Sequence, residues 1–251
     1  MTTIEHAQAL HHDGYTLLPA LIDQDRVRAA RHAIDALRAQ HWDYQGVLDH
    51  YKCVFNRDPF WLLFLDLPAA IDLAEAVLGA DCHVIGQTAW RCHPGFIGSD
   101  LHLDHLPQLV MAMPPQLLDD PAFELPMTIC TLQLYLDDID EALAPTRVIP
   151  GSHRAGRPPQ AGETHWRGKP PHPIHCRAGD ALVFRSELWH GGSPNRDPHR
   201  SRYMLQVHYG RRMVAQKFSP YLEWRFDPAI IAAATPRQRR LLGDHAEAEY
   251  D

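Results

Sequence analysis

From residue 81 onward the chain consists of short apolar stretches separated by proline and glycine, and this pattern limits its possible folds more than any other feature. The sequence has 21 Pro and 15 Gly among 251 residues, and both residue types interrupt helices and mark turns. Many short strands with long connections favour a double-stranded β-helix, also called a jelly roll, that closes around a small-molecule pocket. The predicted strands are 82–92, 127–137, 146–150, 173–177, 181–186 and 202–210.

The N-terminal part of the chain shows a helical pattern instead. Apolar residues recur at helical spacing after Asp23, a suitable N-terminal cap, which predicts an amphipathic helix over 24–40. Pro59 and Pro68 are placed as first-turn prolines of two more helices, and a last helix is predicted around 228–242. The expected fold class is mainly β with flanking helices, in a single domain that spans residues 1–251. Within this domain we expect a mainly helical N-terminal support at 1–80, a jelly-roll core at 81–212, and a C-terminal strand or helix and tail at 213–251.

Composition argues against nucleic-acid and membrane partners. The 24 Lys and Arg against 31 Asp and Glu give a net charge of −7 without a concentrated basic face, so no nucleic-acid partner is expected. No apolar run approaches the roughly 18 residues that cross a bilayer, and the N-terminus lacks a signal-peptide pattern, so we expect a cytoplasmic protein. The 5 Cys are scattered without a Cys-x-x-Cys pair, which favours reduced thiols.

A candidate metal site is formed by His102, Asp104 and His190. Residues i and i+2 of a strand project from the same face, so His102 and Asp104 can reach one ion while Leu103 points away. His190 then supplies the third ligand from a distant strand. Two histidines and one carboxylate on one face of an octahedron leave three positions open, as in non-haem Fe(II) oxygenases.

The His-x-Asp spacing is weak on its own. With 18 His in the chain, about one or two such triplets are expected by chance, and three occur. The triplets at 11–13 and 41–43 adjoin helical segments, and we interpret them as chance occurrences. The triplet at 102–104 differs because further motifs follow it in a defined order.

The order of these motifs carries a family resemblance. Leu-His-x-Asp at 101–104 precedes Val-Ile-Pro-Gly-Ser-His-Arg at 148–154, Gly-Asp-Ala-Leu-Val-Phe at 179–184, and Trp-His-Gly-Gly at 189–192 with an Asn and an Arg beyond. In this combination the chain resembles the phytanoyl-CoA dioxygenase family of Fe(II)/2-oxoglutarate oxygenases, which includes the ectoine hydroxylases, over roughly residues 80–210. Where the family often has Asn-Gly, residues 143–146 read Leu-Ala-Pro-Thr, a departure that affects a turn and part of the pocket but not the metal ligands.

The resemblance implies an enzyme that uses Fe(II), 2-oxoglutarate and dioxygen. His102, Asp104 and His190 would be the metal ligands and the catalytic centre, and a small-molecule substrate would be oxidised with release of succinate and CO2. Hydroxylation is the expected outcome, whereas desaturation, cyclisation or epimerisation would depend on how the substrate is placed. Related halogenases have Gly or Ala at the position of Asp104, so halogenation is not expected.

The far carboxylate of 2-oxoglutarate calls for a guanidinium that can form two charge-assisted hydrogen bonds. If 202–210 is a strand, Arg202 shares one face with Met204, Gln206 and His208 and looks into the barrel. In the family the functional Arg lies about 10 to 12 residues past the distal His, a window that also admits Arg200. We prefer Arg202.

Three further pocket residues follow from comparison with the ectoine-hydroxylase branch. Gln87 falls where that branch has a pocket Gln, and Thr131 and Gln133 fall near a polar contact with the co-substrate. Alternation puts Thr131, Gln133 and Tyr135 on one face, which either lines the cavity or faces solvent.

We interpret four other histidines as structural residues and not as metal ligands: His93, His105, His153 and His208. Residues 105–126 either cover the substrate or form an irregular surface excursion.

Two other classes of protein compete with this interpretation. A cupin-like metal-dependent isomerase or small-molecule binding protein would use a similar barrel without 2-oxoglutarate, although cupins generally supply more histidines in a tighter first motif. A structural or interaction protein would leave His102, Asp104 and His190 unconnected. The Arg that follows the distal His favours the oxygenase.

Overall fold

Two antiparallel sheets form the centre of the protein. The computed structural model describes residues 1–105, 113–218 and 224–246. A 6-stranded sheet has the order β1-β7-β4-β9-β3-β2, and a 3-stranded sheet has the order β6-β5-β8. The strands are β1 Tyr15–Leu18, β2 Leu48–Lys52, β3 His83–Cys92, β4 Ile129–Tyr135, β5 Thr146–Val148, β6 His172–Pro173, β7 Ala181–Arg185, β8 His190–Gly192 and β9 Arg202–Gly210.

Short helices cover the outer face of the larger sheet. Their ends follow local sequence: the side chain of Asp23 caps α2 by accepting from the Arg26 amide, and Gly79 ends α3 with a positive φ of 108°. The α-helices are α1 Thr3–His12, α2 Gln24–Asp35, α3 Pro68–Leu78, α4 Pro115–Asp119, α5 Pro228–Ala233 and α6 Pro236–Leu241, and 3-10 turns lie at Val54–Asn56, Pro59–Phe64 and Ser152–Ala155.

The larger sheet buries both of its faces. All nine residues of β9 are buried, and alternate residues serve different cores. Leu205 and Val207 pack in the main apolar cluster with α2 and α3, whereas Met204 packs in a second cluster between the two sheets. We call the first side the helix face and the second side the inner face. Because side chains alternate along a strand, the neighbours of Met204 at positions 202, 206 and 208 also lie on the inner face.

The predicted jelly roll is confirmed, with differences in detail. Each of the six predicted strands corresponds to an observed one, although the stretch at 173–177 is reduced to β6 and an isolated bridge between Ile139 and Cys176. The helix expected over 24–40 ends at Asp35. The predicted final helix is wrong: it is two helices, because Thr235 caps a new one and Pro236 cannot continue the first.

Strands β1 and β2 were not predicted, and β8 was expected only as the strand that carries His190, without bounds. Strand β2 carries the polar sequence Leu-Asp-His-Tyr-Lys, and β8 has only three residues, so neither shows a clear apolar alternation. Strands β1 and β2 lie at the two edges of the larger sheet. Among the helices that the structure describes, none is long and apolar enough to cross a membrane.

Candidate metal centre and co-substrate site

The structure brings His102, Asp104 and His190 together. One potential ligand atom from each lies within 4.8 Å of the other two. His102 and His190 form an antiparallel bridge with two backbone N–H···O bonds, each 2.8 Å long. The amide of Asp104 donates to the carbonyl of Ser186 at 3.0 Å. The backbone that follows β3 is therefore fastened to both the end of β7 and the start of β8, which aligns the three side chains.

Hydrogen bonds to the backbone orient both imidazole rings. Nδ1 of His102 lies 2.9 Å from the carbonyl oxygen of Asp100, and Nδ1 of His190 lies 3.0 Å from that of Leu188. A ring nitrogen that donates to a carbonyl carries the proton, which leaves Nε2 with a lone pair for a metal. Nε2 of His190 is 3.6 Å from Oδ1 of Asp104. This donor set fits a divalent metal ion.

The second oxygen of Asp104 has a different partner. Thr131 Oγ1 donates to Asp104 Oδ2 at 3.2 Å and lies 3.0 Å from Nδ1 of His208. Burial first, and then the charge of Lys217, lower the pKa of His208 to about 3, so its ring is neutral and Nδ1–H can donate to Thr131. Oδ2 is thus engaged while Oδ1 faces the histidines, an arrangement that favours coordination through one oxygen.

Asp104 carries a negative charge at neutral pH. Burial alone would raise its pKa, but His190, His208 and Lys217 together outweigh this effect and hold the pKa at about 2. Burial also lowers the pKa of His190. The centre therefore offers an ionised carboxylate and a neutral imidazole, the protonation states that bind metals.

Arg202 and Arg200 have different surroundings. Arg202 is 5% exposed, and it lies on the inner face, opposite Cys92 of β3. Its Nη1 donates to the carbonyl of Ala144 at 2.6 Å, and its buried Nε has no partner among the described residues. Arg200 is exposed and pairs with Asp140 and Asp197. A buried, incompletely paired guanidinium suits a carboxylate ligand.

Thr131 and Gln133 lie on the inner face, as their alternation allowed. Gln133 Oε1 accepts from the hydroxyls of Tyr135 and Thr146, each at 3.1 Å. Thr131 bonds to Asp104, as described above. Their contacts with the co-substrate stay predictions.

The assignment of Gln87 to the pocket is wrong. Gln87 pairs with Val207 in the register of β3 and β9, and Val207 packs in the helix-face core. The Gln87 amide donates to the carbonyl of Trp61 at 3.1 Å on that side. The comparison with the ectoine-hydroxylase branch gave a position along the chain but not the face of the strand. Thr88, one position further on, pairs with Gln206 on the inner face.

The contacts of several inner-face residues were not predicted from the sequence. His208, which we placed on this face and interpreted as structural, lies next to Thr131 and Asp104. Trp90 Nε1 donates to Thr88 Oγ1 at 2.8 Å, and the His50 ring stacks on Trp90 with centroids 3.6 Å apart. The signal for His208 was present, because it shares the alternation phase of Arg202. His50 gave no such signal, since β2 was not predicted.

The segment 105–126 is only partly described, because residues 106–112 lie outside the described ranges. Its later part is anchored: Leu118 and Leu125 form a small apolar cluster, and the Arg154 guanidinium donates to three backbone carbonyls of residues 118–123. Whether the segment covers the substrate stays a prediction.

Comparison with known proteins agrees with this geometry. The sequence profile of the phytanoyl-CoA dioxygenase (PhyH) family matches residues 10–204. An uncharacterised protein of Mycobacterium tuberculosis is 22% identical over 253 residues, covering 96% of this chain and 87% of the relative. Dioxygenase trt7 of Aspergillus terreus is 25% identical over 254 residues, covering 94% of this chain and 82% of that enzyme.

Solved structures share the fold. HygX from Streptomyces hygroscopicus, crystallised with nickel and 2-oxoglutarate, has a TM-score of 0.65 at 16% identity and covers 86% of this chain and 90% of its own. The 2-oxoglutarate-dependent epimerase SnoN from nogalamycin biosynthesis has a TM-score of 0.63 at 18% identity, with 84% and 83% covered.

The motifs and the comparisons lead to the same family. Its enzymes use Fe(II), 2-oxoglutarate and dioxygen, so the predicted cofactors are confirmed at the level of the family. The profile covers most of the chain, and the jelly-roll fold agrees with it. On these grounds the chain belongs to the phytanoyl-CoA dioxygenase family.

Proposed function

We propose that the protein is a non-haem Fe(II)/2-oxoglutarate-dependent dioxygenase that hydroxylates a small organic molecule. The observation that carries this proposal is the buried Arg202, whose Nε lacks a partner among the described residues. Arg202 lies on the same sheet face as His208, and His208 lies beside the three potential metal ligands. A metal-binding barrel that did not use 2-oxoglutarate would have no need of this unsatisfied cation. The cupin-like alternative is therefore disfavoured.

Each residue has a role that follows from its contacts. His102, Asp104 and His190 would hold the ion on one side, which would leave the remaining positions free for the co-substrate and dioxygen. Thr131 donates a hydrogen bond to the Asp104 carboxylate, and His208 is hydrogen-bonded to the Thr131 hydroxyl, so the two residues orient the carboxylate. When bound, iron, 2-oxoglutarate and dioxygen supply the oxidising chemistry, which converts the co-substrate to succinate and CO2.

Arg202 would bind the far carboxylate of 2-oxoglutarate. The apolar cluster between the sheets includes Tyr135, Leu182 and Met204, so Arg202 lies on the same sheet face as apolar side chains. A charge-assisted hydrogen bond is stronger in such surroundings than at the surface. Arg200 cannot take this role without leaving its two carboxylates.

A small-molecule substrate agrees with the printed descriptions of the structural neighbours. HygX was crystallised with hygromycin B, and SnoN with nogalamycin RO. SnoN is described as an epimerase and SnoK as a carbocyclase, so the same fold accommodates outcomes other than hydroxylation. In this chain the reaction outcome depends on where the substrate carbon lies relative to the metal.

The test is a screen of candidate small molecules, scored by Fe(II)- and 2-oxoglutarate-dependent succinate formation and by mass spectrometry of the products. We expect at least one compound to stimulate succinate formation and to gain one oxygen atom, with no activity in the Asp104→Ala variant. Products that lose two hydrogens or change only their stereochemistry would overturn hydroxylation. A chlorinated product would contradict the role of Asp104 as a ligand.

A further inference from the structure

Lys217 lies beside the candidate metal centre, where sequence analysis did not expect a cation. After β9 the chain turns back, and the amide of Lys217 donates to the carbonyl of Ile85 in β3 at 2.8 Å. This bond sets the Lys217 side chain over Gly86, which pairs with His208 across the sheet. A Cβ atom built at Gly86 would lie 3.6 Å from Lys217 Cδ and 3.8 Å from His208 Cδ2. Lys217 therefore reaches the inner face at the position of His208.

The charge of Lys217 acts on the same groups that form the centre. It contributes, after burial, to the lowered pKa values of His105 and His208, and it helps to lower the pKa of Asp104. The His105 and His208 rings have centroids 6.2 Å apart. His105 also has a buried Nδ1 without a partner among the described residues. The candidate metal centre is thus flanked on this side by the Lys217 side chain and by an imidazole nitrogen that has no partner among the described residues.

Lys217 has no hydrogen-bond or ion-pair partner for its side chain in the described part of the chain. A site loaded with Fe(II) and 2-oxoglutarate would not compensate it either. The two positive charges of the ion would be balanced by Asp104 and one carboxylate of 2-oxoglutarate, and Arg202 would balance the other carboxylate. Lys217, which is exposed beside the candidate centre, would then keep an uncompensated positive charge.

We propose that Lys217, assisted by His105, binds an anionic oxygen group of the organic substrate, a carboxylate or a phosphate, beside the metal centre. This inference rests on the proposed function and deepens it, since it assigns the substrate to organic molecules that carry an anionic oxygen group. The anion would orient the substrate from the Gly86 side. The stacked Trp90 and His50 rings lie further along the same face of β3 and β2 and offer a flat surface for the rest of the molecule.

The experiment measures the binding of matched probes to nickel-loaded protein saturated with 2-oxoglutarate. The probes are 3-phenylpropionate, its uncharged amide, 2-phenylethyl phosphate and 3-phenylpropanol, and binding is followed by isothermal titration calorimetry. In the wild type we expect at least one anion to bind about tenfold or more tightly than its neutral counterpart, as charge-assisted hydrogen bonds do. Which anion is preferred distinguishes a carboxylate from a phosphate substrate.

Matched variants assign this preference to Lys217. The chain has only three lysines, at 52, 169 and 217, and Lys169 is exposed and pairs with Trp166 in an isolated bridge. Lys217→Gln should reduce the preference for the anion to about twofold or less, Lys217→Arg should largely restore it, and Lys169→Gln should leave it unchanged.

Several outcomes would overturn the inference. One is the absence of any anion preference in the wild type, and another is an unchanged preference in Lys217→Gln. A third is an anion preference that disappears when the 2-oxoglutarate concentration is raised, because the probe would then occupy the co-substrate site. Lys217→Gln should bind 2-oxoglutarate as the wild type does. Failure of the proposed function would show separately, as a lack of metal-dependent 2-oxoglutarate binding in the wild type before any probe is added.

Discussion

The two faces of the larger sheet use the same strands for different purposes. On the helix face, β9 contributes Leu205 and Val207 to the main apolar core. On the inner face, the intervening positions contribute Arg202, Gln206 and His208, which are buried but polar. The apolar face can accept any well-packed side chain, whereas each inner-face group needs a specific partner. The two-residue period of the strands thus separates residues that stabilise the fold from residues that line the candidate site, and substitutions on each face test whether the two sets are independent.

The largest effect is expected from Asp104→Ala. Removal of a ligand should lower metal affinity by more than the roughly 10- to 100-fold loss that follows removal of an outer-shell partner, and it should abolish coupled turnover. Metal content and succinate formation are the measurements. The interpretation fails if the variant binds Fe(II) and turns over as the wild type does. A purified sample that carries nickel or zinc is no contradiction, since divalent-metal affinity does not favour iron.

The next effect concerns the helix face. Leu205 is fully buried there, so Leu205→Ala should lower the free energy of unfolding by about 2 to 5 kcal/mol. The folded variant should keep its affinity for metal and 2-oxoglutarate. Urea denaturation and 2-oxoglutarate titration of the metal-loaded variant measure the two properties. A large loss of co-substrate affinity in protein that is still folded would show that the two faces are not independent.

Arg202→Ala tests the inner face at a single charged group. Loss of its charge-assisted pair should cost about 1.5 to 3 kcal/mol, or roughly ten- to a hundredfold in apparent 2-oxoglutarate affinity. Lys at this position should rescue only partly, because it lacks the planar fork. The matched control is Arg200→Ala, whose exposed ion pairs should contribute little. Impairment of the Arg200 variant instead would reverse the assignment.

The smallest effect is expected at Gln87. Because its side chain lies on the helix face against the Trp61 carbonyl, Gln87→Met should change the apparent 2-oxoglutarate affinity by less than about twofold. Its stability should fall only modestly, by about 0.5 to 1.5 kcal/mol for the lost hydrogen bond. A tenfold weakening of co-substrate binding would return Gln87 to the pocket. The measurement is the same titration that is used for Arg202.

Sequence reasoning succeeded where the required information was local. His102 and Asp104 are two positions apart on the chain, and His190 belongs to a recognisable motif, so the metal group could be predicted without knowing the fold. Arg202 followed from the alternation of a strand that was clearly apolar on its other face. The structure brings one potential ligand atom of each of the three residues to within 4.8 Å of the others, while their binding of a metal and the role of Arg202 stay predictions.

The errors arose where the answer depends on contacts between distant segments. The face of Gln87 is set by the register of β3 against β9, which includes an irregularity between Val84 and Gly86. Lys217 reaches the centre only through the backbone bond to Ile85, a residue more than a hundred positions earlier. Strand β2 has too little apolar alternation to be recognised, yet it supplies His50 to the inner face by pairing with β3. Local patterns do not contain this information.

An anaerobic titration of the apoprotein with Fe(II) and 2-oxoglutarate, followed by visible absorption, tests most directly whether the protein forms an iron centre that binds 2-oxoglutarate. We predict a weak charge-transfer band that requires both ligands, saturates at one ion per chain, and is absent in Asp104→Ala. Absence of the band in the wild type, or its appearance without 2-oxoglutarate, would contradict the claim that the inner face holds a 2-oxoglutarate-dependent iron centre.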